Sequence, residues 1–212
     1  MRVRDILSSG EPGSSVSIAG WVQSKRAQKA FAFVALNDGS CLSSLQIVID
    51  ADVANYDAIV AQINTGAAIE VSGALKESPG KGQRVELQAQ TVRLIGAVGA
   101  DYPLQKKRQS PEFLRGIAHL RSRTRVMGAS TRIRSSCAQA IHSFFKSHGF
   151  FYVHTPIITA SDTEGAGEMF QVTTLDLNDP PKTEQGAVDY NQDFFGRKTY
   201  LTVSGQLSAE NL

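Results

Sequence analysis

Phe31-Ala-Phe-Val-Ala-Leu-Asn-Asp-Gly-Ser40 decides how the first half of this chain folds. Phe31, Phe33 and Ala35 alternate with Ala32, Val34 and Leu36, the period-two pattern of a strand whose successive side chains leave on opposite faces. Asn37-Asp-Gly39 then supplies the residues of a hairpin turn. Working outward, the same glycine-punctuated, β-branched pattern recurs at Val16–Gln23, Leu45–Ile49, Ile69–Leu75 and Arg84–Ile95, with a second turn at Ser78-Pro-Gly-Lys-Gly82. Five strands are expected between Ser15 and Gly96. Between the third and fourth, Val53, Tyr56, Ile59, Val60 and Ile63 recur at helical spacing, and Asp52 is the expected cap of that helix.

A five-stranded Greek-key barrel with a helix between strands three and four has the order of an OB-fold. Trp21 is assigned to its core. From Tyr102-Pro103 to Gly116 the periodicity breaks, which marks a linker or hinge. A long helix follows, because Val126, Ala129, Ile133, Cys137, Ile141, Phe144 and Phe145 step by three or four residues and form one apolar stripe. His148-Gly149 ends it, since glycine tolerates the left-handed conformation of a helix stop. Phe150–Val153 then reads as a strand running into Thr155-Pro-Ile-Ile158, where Pro156 cannot donate to a central ladder and so indicates an edge or an interface.

The composition, 42% hydrophobic and 20% charged over 212 residues, is that of an ordinary globular protein with room for one large or two small domains. A net charge of +2 hides an uneven distribution. Between Tyr102 and Arg134, Lys106, Lys107, Arg108, Arg115, Arg121, Arg123, Arg125, Arg132 and Arg134 face a lone acid, Glu112. Such a block fits a polyanionic partner, and it also fits a solvated helix face. Cys41 and Cys137 lie too far apart for a paired-cysteine metal site, so no metal site is expected. The first residues lack the apolar segment of a secretory signal, and no run approaches the roughly 18 apolar residues of a membrane span. A soluble, cytoplasmic protein is expected.

Two constellations carry chemistry. On the barrel, Phe31 and Phe33 share a face, Gln46 must point away from Leu45 and Ile47, Lys25, Arg26 and Lys29 line the first loop, and Glu86 lies on the fifth strand. Stacking rings, an amide that donates and accepts at once, and surrounding cations suit unpaired bases. A phenylalanine on an alternating strand equally suits the core. Toward the C-terminus, Ser161-Asp-Thr-Glu-Gly-Ala-Gly-Glu168 and Tyr200-Leu-Thr-Val-Ser-Gly-Gln-Leu-Ser-Ala-Glu210 are polar, glycine-bearing elements set against apolar runs. Glu164, Ser204, Gln206 and Glu210 together can hold a small zwitterion with an amide side chain; polar surface turns are the alternative.

Six pieces in order, Gly20-Trp-Val22, Phe33-Val-Ala-Leu-Asn-Asp-Gly-Ser40, His119-Leu-Arg-Ser-Arg-Thr124, His148-Gly-Phe-Phe-Tyr-Val-His-Thr-Pro-Ile-Ile158, Ser161-Asp-Thr-Glu-Gly-Ala-Gly-Glu-Met-Phe170 and Phe194-Phe-Gly-Arg-Lys-Thr-Tyr-Leu-Thr-Val-Ser-Gly-Gln-Leu207, make the whole chain resemble bacterial asparaginyl-tRNA synthetases. The resemblance implies an α+β class II synthetase: an OB-fold anticodon-binding domain over 1–100, a hinge over 101–118, and over 119–212 the first part of an antiparallel-sheet catalytic domain. It implies that Phe33 stacks on the central anticodon base, that Gln46 reads its edge, and that Arg26 and Glu86 add contacts. From charge alone, Lys81 and the basic hinge lie toward the tRNA backbone. The resemblance further implies that Glu164 takes the α-ammonium of the amino acid, that Ser204 and Gln206 line its pocket, and that Pro156 marks a homodimer interface.

Aspartyl relatives carry lysine three residues after that glutamine, whereas this chain has Ala209 followed by Glu210. A buried anion there repels aspartate and accepts from an amide, which selects asparagine. The family's second and third motifs, which hold ATP and Mg2+, are expected after the equivalent of Leu212. No catalytic residue is therefore expected within these residues, and the chain by itself is expected to be an inactive fragment of an asparagine–tRNA ligase. A free-standing anticodon or single-strand-binding module is the alternative, and an aspartyl enzyme a weaker one.

Overall fold

Strands β1 (Ser15–Ala27), β2 (Phe31–Asn37), β3 (Leu45–Asp50), β4 (Ala68–Glu77) and β5 (Val85–Gly96) pair in the order β1-β2-β3-β5-β4 and close where β4 meets β1. The computed structural model describes residues 1–80, 82–107, 109–161 and 168–212. Neighbouring strands run antiparallel except β3 and β5, which meet parallel at Ile47↔Leu87 and Val48↔Gln88. The expected OB-fold order is thus present. Ile18, Val22, Val34, Leu36, Ile47, Ile69, Val71 and Leu87 point inward on the alternating pattern and form a buried core. Closing so short a sheet brings strands close together. At Gly73, beside an irregularity in the β4–β5 register, a Cβ would collide with the Gln88 carbonyl, so only glycine fits.

Helix α1 (Val3–Ser9) buries Val3 and Ile6 completely in the barrel core. Seven residues are too few for a helix to stand alone in water. Two buried aliphatic side chains, each contributing roughly 1.5–3 kcal/mol, hold it in place. Its first N–H groups are capped from a distant turn: Asp38 Oδ2 accepts from Val3 N at 2.9 Å and Ser40 Oγ from Arg4 N at 3.0 Å. Desolvation works against the Asp38 carboxylate, but hydrogen bonds from the Ser40 hydroxyl and from the Ser40 and Val3 N–H groups outweigh it, so its pKa lies below the ordinary value.

Several expectations need correction in this first unit, Met1–Ala138. Helix α2 (Tyr56–Gln62) starts after Asn55, in the left-handed region at φ 59, and not at Asp52; turns closed by Val53 N to Asp50 O and Tyr56 N to Val53 O consume the intervening residues. Trp21 is 39% exposed because its neighbour Val22 takes the inward position, and the Arg123 guanidinium covers the indole at 4.8 Å. The charged stretch after Tyr102 contains a helix, α3 (Pro111–Gly116), started by Pro111 in its first turn and by Ser110 Oγ accepting from Phe113 N. Six residues are too few to show a period. Helix α4 (Ala118–Arg121) follows.

The long helix α5 (Arg125–Ser147) forms as expected, yet Val126, Ile133, Ile141, Phe144 and Phe145 along its stripe are all exposed. Gly149 ends it at φ +84, with Gly149 N donating to Lys146 O and Phe150 N to Phe145 O, while the Phe145 and Phe150 rings pack edge to face at 5.3 Å. Phe150 is thereby tied to the helix end and cannot begin the expected strand. Residues 150–157 form no strand, and pairing starts only at β6 (Ile158–Thr159).

In the second unit, Gln139–Leu212, β8 (Thr199–Leu201) lies between β6 and β7 (Gln171–Val172), antiparallel to both. Asp193 organises the approach to β8. Its carboxylate accepts from Thr173 Oγ1 at 2.6 Å, Thr174 N and Oγ1 at 2.9 Å each, and Phe194 N at 2.8 Å. The Thr173 hydroxyl first, then the Thr174 N–H and the remaining donors, hold its pKa down to about 2. Among the described residues no helix is long and apolar enough to cross a membrane.

Candidate functional site

Strand register assembles the barrel-face candidates in two adjacent rows. Arg26 pairs with Phe33, Phe33 with Val48, and Val48 with Gln88. One pleat further along, Ala35 pairs with Gln46, and Gln46 lies beside Glu86 across the parallel β3–β5 junction. Residues two apart on a strand share a face, so Phe33 and Ala35 on β2, and Gln46 and Val48 on β3, look out together.

Phe31 and Phe33 are both half-buried on this face, their rings 5.1 Å apart at 69°, so neither belongs to the core. The Arg26 guanidinium sits 5.1 Å from the Phe33 ring centre, a cation–π contact that leaves charge beside the ring. Small Ala35 gives the next row a low floor. There Gln46 Nε2 donates to Glu86 Oε2 at 2.8 Å, Ser78 Oγ donates to the same oxygen at 3.2 Å, and Gln83 Oε1 accepts from the backbone N–H of Gln46 at 3.2 Å. Glu86 is only 8% exposed, so its carboxylate needs these donors.

The structure therefore brings Arg26, Phe33, Gln46 and Glu86 together. It does not bring Lys25 with them: Lys25 and Arg26 lie on β1 itself, and Lys25 Nζ donates to the Val60 carbonyl at 2.6 Å, where partial burial lowers its pKa. Lys29 is exposed in the β1–β2 turn. Ser78 and Gln83 were not candidates in the sequence, because no period or motif marks a side chain that reaches across strands. Elsewhere on this unit, Lys106, Lys107, Arg123 and Arg125 border a 520 Å³ cavity beside Trp21 and Tyr102. Lys81 and Arg108 lie outside the described residues.

In the C-terminal unit, Ser204, Gln206 and Glu210 come together around α6 (Gln206–Ala209). Ser204 Oγ accepts from Gln206 N at 3.0 Å, and Gln206 Nε2 donates to Glu210 Oε1 at 3.0 Å, one helical turn on. A Cβ at Gly205 would meet the Thr155 side chain, which would have to shift to admit it. Glu210 is exposed here, with its carboxylate accepting from the Gln206 amide. Pro156 is exposed in the irregular stretch before β6, and Glu164 lies outside the described residues. Among the described residues no group of three or more His, Cys, Asp or Glu side chains is placed to hold a metal ion.

Comparison with known proteins agrees with this fold. An OB-fold nucleic acid binding domain family matches residues 16–95, and the class II tRNA synthetases (D, K and N) match residues 111–210. The chain is 58% identical over 210 residues to an asparagine–tRNA ligase of Nostoc sp. and 54% identical over 210 residues to that of Geobacter sulfurreducens, covering 99% of this chain and 45% of each relative. It thus spans less than half the length of these curated relatives. Among solved structures, asparaginyl-tRNA synthetase from Pyrococcus horikoshii complexed with asparaginyl-adenylate superposes with TM-score 0.76 at 20% identity, covering 100% of this chain and 44% of that one. The Entamoeba histolytica asparaginyl-tRNA synthetase gives TM-score 0.74 at 22% identity, covering 100% and 45%. At these identities the structures speak for the fold, while the sequence matches speak for kinship: over the part of their length that it spans, the chain belongs to the asparaginyl-tRNA synthetase family.

Proposed function

We propose that this chain serves the ATP-dependent attachment of asparagine to its tRNA, and that its barrel reads the anticodon. The observation that carries this reading is the pair of adjacent rows on the barrel face: Phe33 with Arg26, and Gln46 with Glu86. Phe33 is the platform for the central anticodon base, Gln46 meets the edge of that base, and Arg26 stands beside the adjoining phosphate. Residues 1–100 form the anticodon domain, 101–118 the hinge and 119–212 the start of the catalytic domain. The basic residues of the hinge face the tRNA backbone.

Glu164, Ser204, Gln206 and Glu210 bind asparagine, the first through its α-ammonium. In the reaction an asparagine carboxylate oxygen attacks the α-phosphorus of ATP and pyrophosphate leaves. A terminal tRNA hydroxyl then attacks the acyl carbon of the adenylate and AMP leaves. The residues of this chain bind and orient; no bond-making step is assigned to them. A second copy of the chain covers the apolar stripe of α5 near Pro156, a reading supported by the exposure of Ile141, Phe144 and Phe145. The cytoplasm is the proposed compartment.

Anisotropy titration of a labelled asparagine-tRNA anticodon stem-loop with the full chain tests the anticodon reading. Saturable binding that weakens with salt and on Phe33→Ala is expected. Affinity no better than for an unrelated hairpin would overturn the proposal.

A further inference from the structure

Resting on the anticodon reading, we infer that Ser78 and Gln83, at the two ends of the β4–β5 turn, are positioning residues that lock the Gln46 carboxamide in one orientation and so set which base the barrel accepts. The argument begins at Glu86. A carboxylate only accepts, so the group Gln46 turns toward it must be Nε2, as the 2.8 Å contact has it. The Gln46 carbonyl oxygen and one N–H are left for a ligand. A glutamine free to rotate about its last bond could exchange these two ends at little cost.

Two contacts and the burial of Glu86 oppose that exchange. Ser78 Oγ donates to the same Glu86 oxygen at 3.2 Å and stops the carboxylate from turning. Glu86 is itself nearly buried, so it has little room to swing away. Gln83 Oε1 accepts from the Gln46 backbone N–H at 3.2 Å, which holds the root of the side chain. Both clamps come from one turn, Ser78 to Arg84, closed by Ser78 N donating to Arg84 O at 3.0 Å.

Orientation matters because pyrimidines differ in donor order. Asparagine codons place a uridine at the centre of the anticodon. Uracil offers an N3–H donor beside a carbonyl acceptor, whereas cytosine offers a ring-nitrogen acceptor beside an amino donor. A locked amide matches one order and leaves unpaired groups against the other. A free amide pairs with both.

The experiment measures binding of the full chain to two anticodon stem-loops differing only in a central U or C. The unmutated chain should prefer the U loop. Ser78→Val and Gln83→Met should each lower the U-over-C ratio roughly three- to tenfold, the effect of one hydrogen bond, with a smaller loss of affinity for the U loop. Ser78→Thr, the same shape as valine with its hydroxyl kept, should restore the ratio. Equal weakening for both loops, or an unchanged ratio, would overturn the positioning role while leaving the anticodon reading standing. No preference in the unmutated chain would sink that reading and this inference with it. Melting curves show that the variants compared are folded.

Discussion

The Gln46 carboxamide and the Glu86 carboxylate meet at 2.8 Å across the parallel junction of β3 and β5, joining residues 40 positions apart. Replacing the amide by a carboxylate sets two anions against each other. Gln46→Glu should therefore bind the anticodon stem-loop more weakly than Gln46→Ala, which loses the amide but adds no charge, and adding Glu86→Gln to Gln46→Glu should recover part of the affinity. Anisotropy titrations check the contrast, and a double variant no better than Gln46→Glu would count against direct contact between the two side chains.

Phe33 is half-buried and pairs in register with Val48, itself only 8% exposed. Phe33→Leu keeps an apolar side chain there and removes the aromatic face. It should cost about 1–3 kcal/mol of stem-loop affinity and leave the melting temperature almost unchanged. Phe33→Trp should bind at least as tightly as the unmutated chain.

The lowered pKa of Asp193 gives the C-terminal unit a pH dependence of known sign. Its folded pKa, held to about 2, lies below the unfolded value of about 4. The stability it contributes is therefore complete above about pH 4 and is lost as pH falls through about 2. Urea unfolding of the unmutated chain and of Asp193→Asn should differ most near neutrality and converge in acid. A difference independent of pH would remove Asp193 from this role.

Gly73 faces the Gln88 carbonyl at the irregular point in β4. Gly73→Ala pushes a methyl group into backbone that cannot give way. It should destabilise the barrel by about 1–3 kcal/mol or more, read as a lower urea midpoint. Gly13→Ala tests the other requirement, since nothing lies near its Cβ and the cost arises from φ +90 alone. That cost should be about 1 kcal/mol.

The barrel was legible because strand period and turn chemistry are local. Phe31 to Ser40 announces a strand and a turn from its own residues, and so do the other four strands. Trp21 was misplaced by the same pattern: alternation says which residues oppose each other, and Val22 takes the inward place. Helix α1 had no local signal, since Asp38 and Ser40 cap it from 35 and 36 positions away. The α5 stripe was read correctly as a helix face, but a period cannot say what covers it.

For this protein, residue order alone determined the five-strand course, the stop at Gly149 and the candidates Arg26, Phe33, Gln46 and Glu86, since each follows from period, conformational freedom or family motif. Only the folded chain decided that Glu86 is nearly buried, that Gln46 turns its nitrogen toward it, that Lys25 points to α2 and that Glu210 meets solvent. Hydrogen bonds such as Gln46 N to Gln83 Oε1, 37 positions apart, exist only once barrel closure brings the strands side by side, and no local pattern encodes them.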